Sequence, residues 1–291
     1  MPWNDEQRPL VSVNWGRTLI ASALITSVLF SSALLAETAE DVFAAASPSI
    51  VTVEVQQSVR KYNPKTGTTL TLLDNEVASG SGVTIGAGQV ITNCHVTLSG
   101  DGVRVRYRQA ELDASVVLED RERDLCLIEV EKLDAPPVRI GSSLDLAIGA
   151  TVYAIGSPMG LDLTISNGIV SGFRKEGSGA PLIQFTAPIS QGSSGGGVFN
   201  SKGELVGLST SAIDDGQNLN FAIPIDWLKD LPKRSRQQEA ALQALEEKLE
   251  PIWLHILAAK YAEDWDSAIR WAQQYTKIAP DRAQGWGYLG H

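Results

Sequence analysis

The sequence contains little cysteine, little histidine and fewer basic than acidic residues. Its 291 residues include 2 Cys and 3 His, which excludes a zinc site made of four cysteines. Lys and Arg number 24 against 34 Asp and Glu, for a net charge of −10. Because nucleic acid backbones are bound by clustered Lys and Arg, this balance argues against nucleic acid as the main partner.

Turn residues and apolar residues are plentiful. The chain has 26 Gly and 13 Pro, and 43% of its residues are hydrophobic. Many turns indicate many strands, and a chain of this length buries enough apolar surface for a large domain and a smaller second unit.

The N-terminal region predicts an export or anchoring segment over residues 1–36. Residues 18–36 are uncharged and mostly apolar, Arg17 precedes them and Glu37 follows. This pattern is typical of a secretory signal, and the run is also long enough to be an uncleaved membrane anchor. Both alternatives place the rest of the chain outside the cytoplasm, in the bacterial periplasm, secreted or anchored to the inner membrane by residues 18–36. No other contact with a membrane is expected.

The middle of the chain predicts an all-β domain. Residues 103–108 alternate between apolar and polar, and residues 83–85 and 90–92 form an expected hairpin around a Gly-Ala-Gly turn. No amphipathic helix interrupts the region, which favours a barrel or a sandwich. The other strand candidates are residues 50–55, 114–118, 125–130, 151–155, 163–172, 182–186, 197–199, 205–209 and 219–223.

The C-terminal region has a helical composition. Residues 226–231 predict a short helix, and the basic residues 233–236 predict a solvated linker. Residues 237–250 are rich in Ala, Leu, Glu and Gln, and we expect Pro251 to end their helix. The predicted organisation is therefore a main domain over 41–230, a charged helical linker over 231–250 and a helical repeat over 251–291.

Three dispersed residues have the chemistry of a hydrolase site. His95 follows an apolar strand, Asp124 precedes another, and Ser194 lies in a glycine-rich turn. A serine is a weak nucleophile until an imidazole takes its proton, and the imidazole needs a carboxylate to fix its tautomer. His95 is the only histidine inside the β region, since His255 and His291 lie in the tail. Each residue also has a structural alternative: a core histidine, a solvated strand end or a flexible loop.

The motifs around these residues resemble the trypsin/chymotrypsin-like serine proteases, and their HtrA/Deg branch in particular. They are residues 92–96 (Thr-Asn-Cys-His-Val), 124–128 (Asp-Leu-Cys-Leu-Ile) and 192–196 (Gly-Ser-Ser-Gly-Gly), and the resemblance extends over about residues 45–228. It implies two six-stranded β-barrels with a catalytic triad between them. Carried over, His95 is the general base, Asp124 orients it, and Ser194 is the nucleophile. The implied substrate is a polypeptide, and no cofactor or metal is expected.

The resemblance also implies an oxyanion hole and a specificity pocket. The hole would be formed by the backbone N–H groups of Gly192 and Ser194, with Ser193 as a further candidate. The pocket would carry no charge, which predicts small or medium apolar side chains before the scissile bond. Its expected walls are Ala187, Pro188, Ile189, Ser209, Thr210 and Ser211.

Two positions depart from the family pattern. Ser193 stands where digestive trypsin-like enzymes have an aspartate that binds a new N-terminus, so we expect activation without that salt bridge. Gly197 stands where the family usually has Pro or Ala, and we expect a looser loop there. No PDZ-like domain follows the protease region, although HtrA enzymes usually carry one.

The two cysteines flank the expected triad. Cys94 directly precedes His95, and Cys126 lies two residues after Asp124. If Asp124 binds His95, the two cysteines are close neighbours, and in an exported protein they form either a disulfide or a pair of buried thiols.

The tail resembles a tetratricopeptide repeat, which would bind a protein or peptide partner. The resemblance rests on residues 266–269 (Asp-Ser-Ala-Ile) and on Tyr275, Pro280, Ala283, Trp286, Leu289 and Gly290. The alternative is a generic helical hairpin. Because a single repeat does not bury its own apolar face, we expect residues 237–250 to pack on it or the array to continue beyond residue 291.

Two functions compete on these grounds. The first is an extracytoplasmic serine endopeptidase whose tail recruits a partner or substrate. The second is an inactive protease fold that acts as a scaffold or adaptor through its tail.

Overall fold

The structure is a computed structural model that describes residues 38–63, 68–98, 102–157, 162–175, 180–210, 220–282, 286, 287 and 289. The expected export segment over residues 1–36 lies outside the described residues. None of the described helices is both long enough and apolar enough to cross a bilayer.

The first half of the described chain forms a closed antiparallel barrel. A short helix, α1 (Ala39–Ala46), precedes it, and Thr38 and Asp41 cap the start of that helix reciprocally. The strand order around the barrel is β1-β2-β3-β6-β5-β4. A four-residue helical turn, α2 (Cys94–Thr97), follows β3. The strands are β1 (Ile50–Asn63), β2 (Thr68–Gly86), β3 (Gln89–Thr92), β4 (Gly102–Tyr107), β5 (Ala110–Asp120) and β6 (Leu125–Val130).

A second closed barrel follows, in the order β10-β11-β12-β9-β8-β7. The prediction of two six-stranded barrels is therefore confirmed. One feature was not predicted from the sequence: β1 and β2 form a long hairpin and pair as far as Asn63 and Thr68. The strands of the second barrel are β7 (Thr151–Gly156), β8 (Thr164–Arg174), β9 (Leu182–Phe185), β10 (Gly197–Asn200), β11 (Leu205–Thr210) and β12 (Asn220–Pro224).

One apolar core joins the two barrels. Ile91 and Leu125 of the first barrel belong to the same buried cluster as Ile155 and Phe199 of the second. Each of these side chains is at most 2% exposed. Burial of a side chain of this size contributes roughly 1.5–3 kcal/mol, so the shared core resists separation of the barrels. The cleft between the barrels is consequently a fixed feature of the fold.

Two helices, α3 (Leu231–Tyr261) and α4 (Trp265–Ile278), form the tail. The expected end of a helix at Pro251 is wrong, because α3 continues through it. Leu249 and Ile256, on either side of Pro251, are buried against Ala272 and other residues of α4. This packing offsets the backbone hydrogen bond that a proline removes. The two helices form a hairpin, and its identity as a tetratricopeptide repeat stays a prediction.

The expected solvated linker over 233–236 is also wrong. Ser235 is 8% exposed and Leu231 is 1% exposed, so the first turns of α3 are docked rather than free. Arg234 binds the carboxylate of Asp120 at the end of β5. One of the three basic residues of this segment, Arg234, thus forms an ion pair with the first barrel, while Lys233 and Arg236 are exposed.

Asp226 fastens the chain after β12 to the connection between the barrels. It lies in a 3-10 turn (Ile225–Lys229), and its carboxylate accepts from the Ser143 N–H at 2.7 Å and the Ser143 hydroxyl at 2.8 Å. Lys229 Nζ lies 2.9 Å from the same carboxylate. Burial acts to raise the pKa of Asp226, but the hydrogen bonds from Lys229, Ser143 and Ser142 outweigh burial and lower the pKa to about 2.

We predict that Asp226→Asn destabilises the protein by about 2 kcal/mol at neutral pH, because the lowered pKa favours the folded state. The contribution is complete above the unfolded-state pKa near 3.8 and is lost as the pH falls towards 2. Urea unfolding at pH 7 and at pH 3 checks this, with exposed Asp145→Asn as the matched control. Equal destabilisation by the two variants at pH 7 would contradict the assignment.

A disulfide crosses the first barrel between Cys94 of α2 and Cys126 of β6, with the Cα atoms 4.9 Å apart. Thr92 pairs with Cys126 in the β3–β6 ladder, which brings the start of α2 to the same position. The cross-link closes a loop with a sequence separation of 32 residues.

Reduction of this disulfide is expected to lower the free energy of unfolding by about 3–4 kcal/mol, because the unfolded chain gains conformational entropy. Thermal unfolding with and without a reductant measures the effect. The double variant Cys94→Ala/Cys126→Ala is the control and is expected to be insensitive to reductant. If the thermal unfolding midpoint of the wild-type protein does not change when reductant is added, the prediction is wrong.

Candidate active site

His95 and Asp124 are joined by two hydrogen bonds. The His95 N–H donates to Oδ1 of Asp124 at 2.8 Å, and the ring nitrogen Nδ1 lies 2.7 Å from Oδ2. His95 follows the apolar strand β3, as expected, and lies in the helical turn α2, where its N–H is free of intrahelical partners and available to the carboxylate. A carboxylate at Nδ1 favours the tautomer with the proton on that nitrogen, so Nε2 carries the lone pair.

The backbone at Asp124 has an unusual conformation. Its φ is +55°, in the left-handed region that few residues other than glycine adopt. The carbonyl of Asp124 accepts from the Cys94 N–H at 3.2 Å and from Nδ2 of Asn93 at 3.1 Å. These two contacts hold the main-chain carbonyl of Asp124, while His95 binds the carboxylate of its side chain. The turn before β6 is thereby tied to the segment that carries the imidazole.

Thr210 is a third donor to the same carboxylate, and the sequence analysis did not identify this role. Its hydroxyl donates to Oδ2 of Asp124 at 3.1 Å across the cleft between the barrels. We had expected Thr210 in the specificity pocket. A hydroxyl at the end of a strand carries no sequence signal for a partner 86 residues away.

Ser194 lies in a tight turn that contacts the first barrel. Its carbonyl accepts from the Ser81 N–H at 2.7 Å, and the next residue, Gly195, donates to the Ser209 carbonyl at 2.8 Å. Gly195 has a φ of +82°, and a Cβ there would lie 2.1 Å from the Ser81 carbonyl oxygen. Only glycine allows this approach, so the glycine-rich sequence is required by the contact between the barrels.

Gly80 lies between the turn that carries Ser194 (the serine turn) and the helical turn α2 that carries His95 (the histidine segment). A Cβ at Gly80 would lie 2.7 Å from the Val96 side chain and 3.1 Å from the Ser194 carbonyl oxygen. Val96 directly follows His95, so Ser194 and the histidine segment lie on either side of one glycine. The structure therefore places the Ser194 main chain and the residue after His95 against the same glycine, and Asp124 binds His95.

The turn before Ser194 is a β-turn closed by a backbone hydrogen bond. The Ser193 N–H donates to the Ser190 carbonyl at 3.0 Å, and Gly192 at the third position has a φ of +89°, as in a type II turn. Because its N–H is already bonded, the expectation that Ser193 contributes to the oxyanion hole is wrong. Within the described part of the chain, the Gly192 N–H donates to no backbone carbonyl, so Gly192 stays a candidate together with Ser194.

A narrow cleft lies beside the serine turn. Its lining includes three residues of the expected specificity pocket, Pro188, Ile189 and Ser209, together with Ser166. Its volume is about 10 Å³, the space of roughly one water molecule. Ala187, by contrast, is fully buried and does not line it. Ser211 lies outside the described residues. No charged side chain is among the described residues that line the cleft.

Gly197 departs from the family pattern for a reason that the structure shows. A Cβ there would lie 2.4 Å from the aromatic ring of Phe199. Gly197 begins β10 and pairs with both Ile155 and Leu208. The glycine thus makes room for a fully buried aromatic ring.

The other histidine that the structure describes, His255, is not part of this arrangement. His255 lies in α3, where its ring stacks on Trp271 with centroids 4.3 Å apart, and His291 lies outside the described residues. Across the described ranges, no three His, Cys, Asp or Glu side chains form a cluster that could hold a metal ion.

Comparison with known proteins identifies a domain and its relatives. Residues 80–208 match the family model described as a trypsin-like peptidase domain. The chain is 38% identical over 160 residues to a protein of Pseudomonas fluorescens named "Probable periplasmic serine endoprotease DegP-like", and this match covers 52% of the chain and 34% of the relative. It is 37% identical over 175 residues to "Protease Do-like 1, chloroplastic" of Arabidopsis thaliana, covering 54% and 39%.

A solved structure has the same fold. The HtrA-type protease AlgW with a decapeptide aligns with a TM-score of 0.56 and 26% identity, over 66% of each chain. The chain spans less than half the length of the two curated relatives above. From the matched segment, the two barrels and the structural match together, we conclude that residues 80–208 are similar to a trypsin-like peptidase domain and that the chain has the fold of the HtrA-type proteases.

Proposed function

We propose that this chain is an extracytoplasmic serine endopeptidase that uses Ser194, His95 and Asp124 as a catalytic triad. The observation that carries the proposal is the double hydrogen bond from His95 to Asp124, at 2.8 Å and 2.7 Å. The names of the relatives, a serine endoprotease and a protease, support the reaction. The word periplasmic in the first name supports a location outside the cytoplasm.

The proposed reaction starts with proton transfer. Asp124 keeps the proton on Nδ1 of His95, so Nε2 takes the proton of the Ser194 hydroxyl. The serine oxygen bonds to the scissile carbonyl carbon, and the carbonyl electrons move to the carbonyl oxygen. His95 then gives its proton to the leaving amine as the C–N bond breaks, and water hydrolyses the acyl-enzyme by the same route.

The oxyanion would be received by the N–H groups of Gly192 and Ser194. The positive φ of Gly192 supports this role. Gly192 is the third residue of a turn that the Ser193 N–H closes by donating to the Ser190 carbonyl. Removal of one such donor typically lowers the rate by roughly 10²–10³. Thr210 would hold the Asp124 carboxylate from the second barrel.

The tail is proposed to recruit a protein partner or substrate. In this organisation the protease domain covers residues 41–230, and the helical hairpin follows it with the tetratricopeptide-like pattern over 251–291. Leu254, Tyr261 and Trp265 support a contact surface, since they are 57%, 89% and 53% exposed. Isolated exposed apolar residues are common, but three at one end of a hairpin favour a partner surface.

We predict that a fluorophosphonate probe labels the wild-type protein and not Ser194→Ala, because only an activated serine displaces the fluoride. Ser201→Ala, in the turn between β10 and β11, is the matched control and is expected to label like wild type. Gel fluorescence measures the labelling. If wild type labels no more than Ser194→Ala under any condition, the inactive scaffold is the correct alternative.

The narrow cleft predicts cleavage after small side chains. Peptides with Ala or Val before the scissile bond are expected to give a kcat/KM at least about tenfold above those with Phe or Lys, because each misfitting methylene costs about 1–3 kcal/mol. Ile189→Ala, which widens the cleft, is expected to raise cleavage after Leu and Phe. Ile148→Ala, on the exposed connection between the barrels, is the control. A wild-type preference for Lys would overturn this specificity.

A further inference from the structure

A buried carboxylate lies at the contact between the tail and the protease domain. Asp120, the last residue of β5, is 1% exposed. Burial of a carboxylate costs several kcal/mol unless its oxygens are paired. Two of its partners come from α3: Arg234 binds it through Nε and, at 3.2 Å, through Nη2, and Gln238 Nε2 donates at 2.9 Å. Two successive turns of one helix face therefore bind one carboxylate. Within the turn that follows β5, the Arg123 N–H donates to Oδ1 of Asp120 at 3.3 Å, and Arg123 Nε lies 3.9 Å from Oδ2.

The same face of α3 binds the backbone on both sides of Asp120. The Glu119 N–H donates to the Ser235 hydroxyl at 3.1 Å, and the Arg121 N–H donates to Oε1 of Gln238 at 3.1 Å. These bonds satisfy main-chain donors at the point where β5 ends and the turn begins. The helix thus determines where that turn starts.

The turn that starts there ends at Asp124. The Asp124 N–H donates back to the Arg121 carbonyl at 3.4 Å, and Asp124 has the left-handed φ of +55°. Arg123, between them, stacks on Trp227 with its guanidinium carbon 4.6 Å from the ring centroid. Only three residues separate the Asp120 carboxylate from the carboxylate that binds His95. A backbone outlier of this kind is held by its surroundings and relaxes when they are removed.

We propose that Arg234 is a positioning residue for the triad: by holding Asp120, it fixes the turn that sets the Asp124 carboxylate against His95. This inference rests on the proposed function. It makes the first turns of α3 part of the active-site support, in addition to the hairpin's proposed role in recruitment. Arg234 touches neither the substrate nor the reacting atoms.

The test compares Arg234→Met with Arg236→Met in the full chain. The two arginines lie on the same helix two positions apart, and Arg236 is exposed. Arg234→Met is expected to lower kcat about tenfold or more while KM changes less than twofold, since a displacement of about 1 Å at a catalytic group costs up to about 10²-fold. Arg236→Met is expected to keep both constants.

A loss of activity caused by lower stability of the fold must be distinguished from one caused by displacement of the Asp124 carboxylate. Val170→Ala serves as the stability control, because it removes part of a fully buried side chain from the core of the second barrel, whereas the turn belongs to the first, and it is expected to keep the wild-type kcat below its unfolding temperature. A second readout is the low-field NMR resonance of the proton between His95 Nδ1 and Asp124. It is expected to shift or broaden in Arg234→Met and to stay unchanged in both controls.

The outcomes distinguish this inference from the proposed function. A wild-type kcat and an unmoved resonance in Arg234→Met would overturn the inference while the endopeptidase stands. A kcat loss of equal size in Val170→Ala would also overturn it. If the wild-type protein cleaves no peptide at all, the proposed function fails, and the resonance still decides whether Arg234 positions Asp124.

Discussion

The Asp124 carboxylate accepts hydrogen bonds from both barrels, and the proposed chemistry depends on its position. His95 binds it twice from the first barrel, and Thr210 binds it from β11 of the second. A small movement of the carboxylate would change the orientation of the imidazole and the tautomer that it presents. The left-handed backbone at Asp124, the disulfide beside it and the docked helix α3 all act on this one residue or its immediate neighbours.

Close approach of main chains assembles the rest of the site. Gly195 and Gly80 allow the serine turn to lie directly against the first barrel, at distances that a side chain would forbid. The apolar core shared by the barrels keeps these surfaces together. The approach of the serine turn to the first barrel is therefore a consequence of packing between the two barrels, and the proposed triad needs no separate scaffold.

Strand alternation predicted a barrel or a sandwich, and the resemblance carried by the short motifs around His95, Asp124 and Ser194 predicted the two six-stranded barrels. The contact between His95 and Asp124 that this resemblance implied is present in the structure, and the role of Ser194 as nucleophile stays a prediction. Interactions between distant segments were not predictable. Thr210 lies 86 residues from Asp124, and the basic run around Arg234 gave no sign that Asp120, 114 residues earlier, is its partner. The assignment of Ser193 to the oxyanion hole failed because backbone turn geometry, which the sequence does not show, uses its N–H.

The most direct test of the account is to find where an acyl group is attached during turnover. The protein is mixed with an alanyl p-nitrophenyl ester, quenched in acid within the first turnover, digested and examined by mass spectrometry. The account predicts an acyl group on Ser194 that is absent from His95→Ala. An acyl group on another residue, or an equal yield on Ser194 without His95, would contradict it.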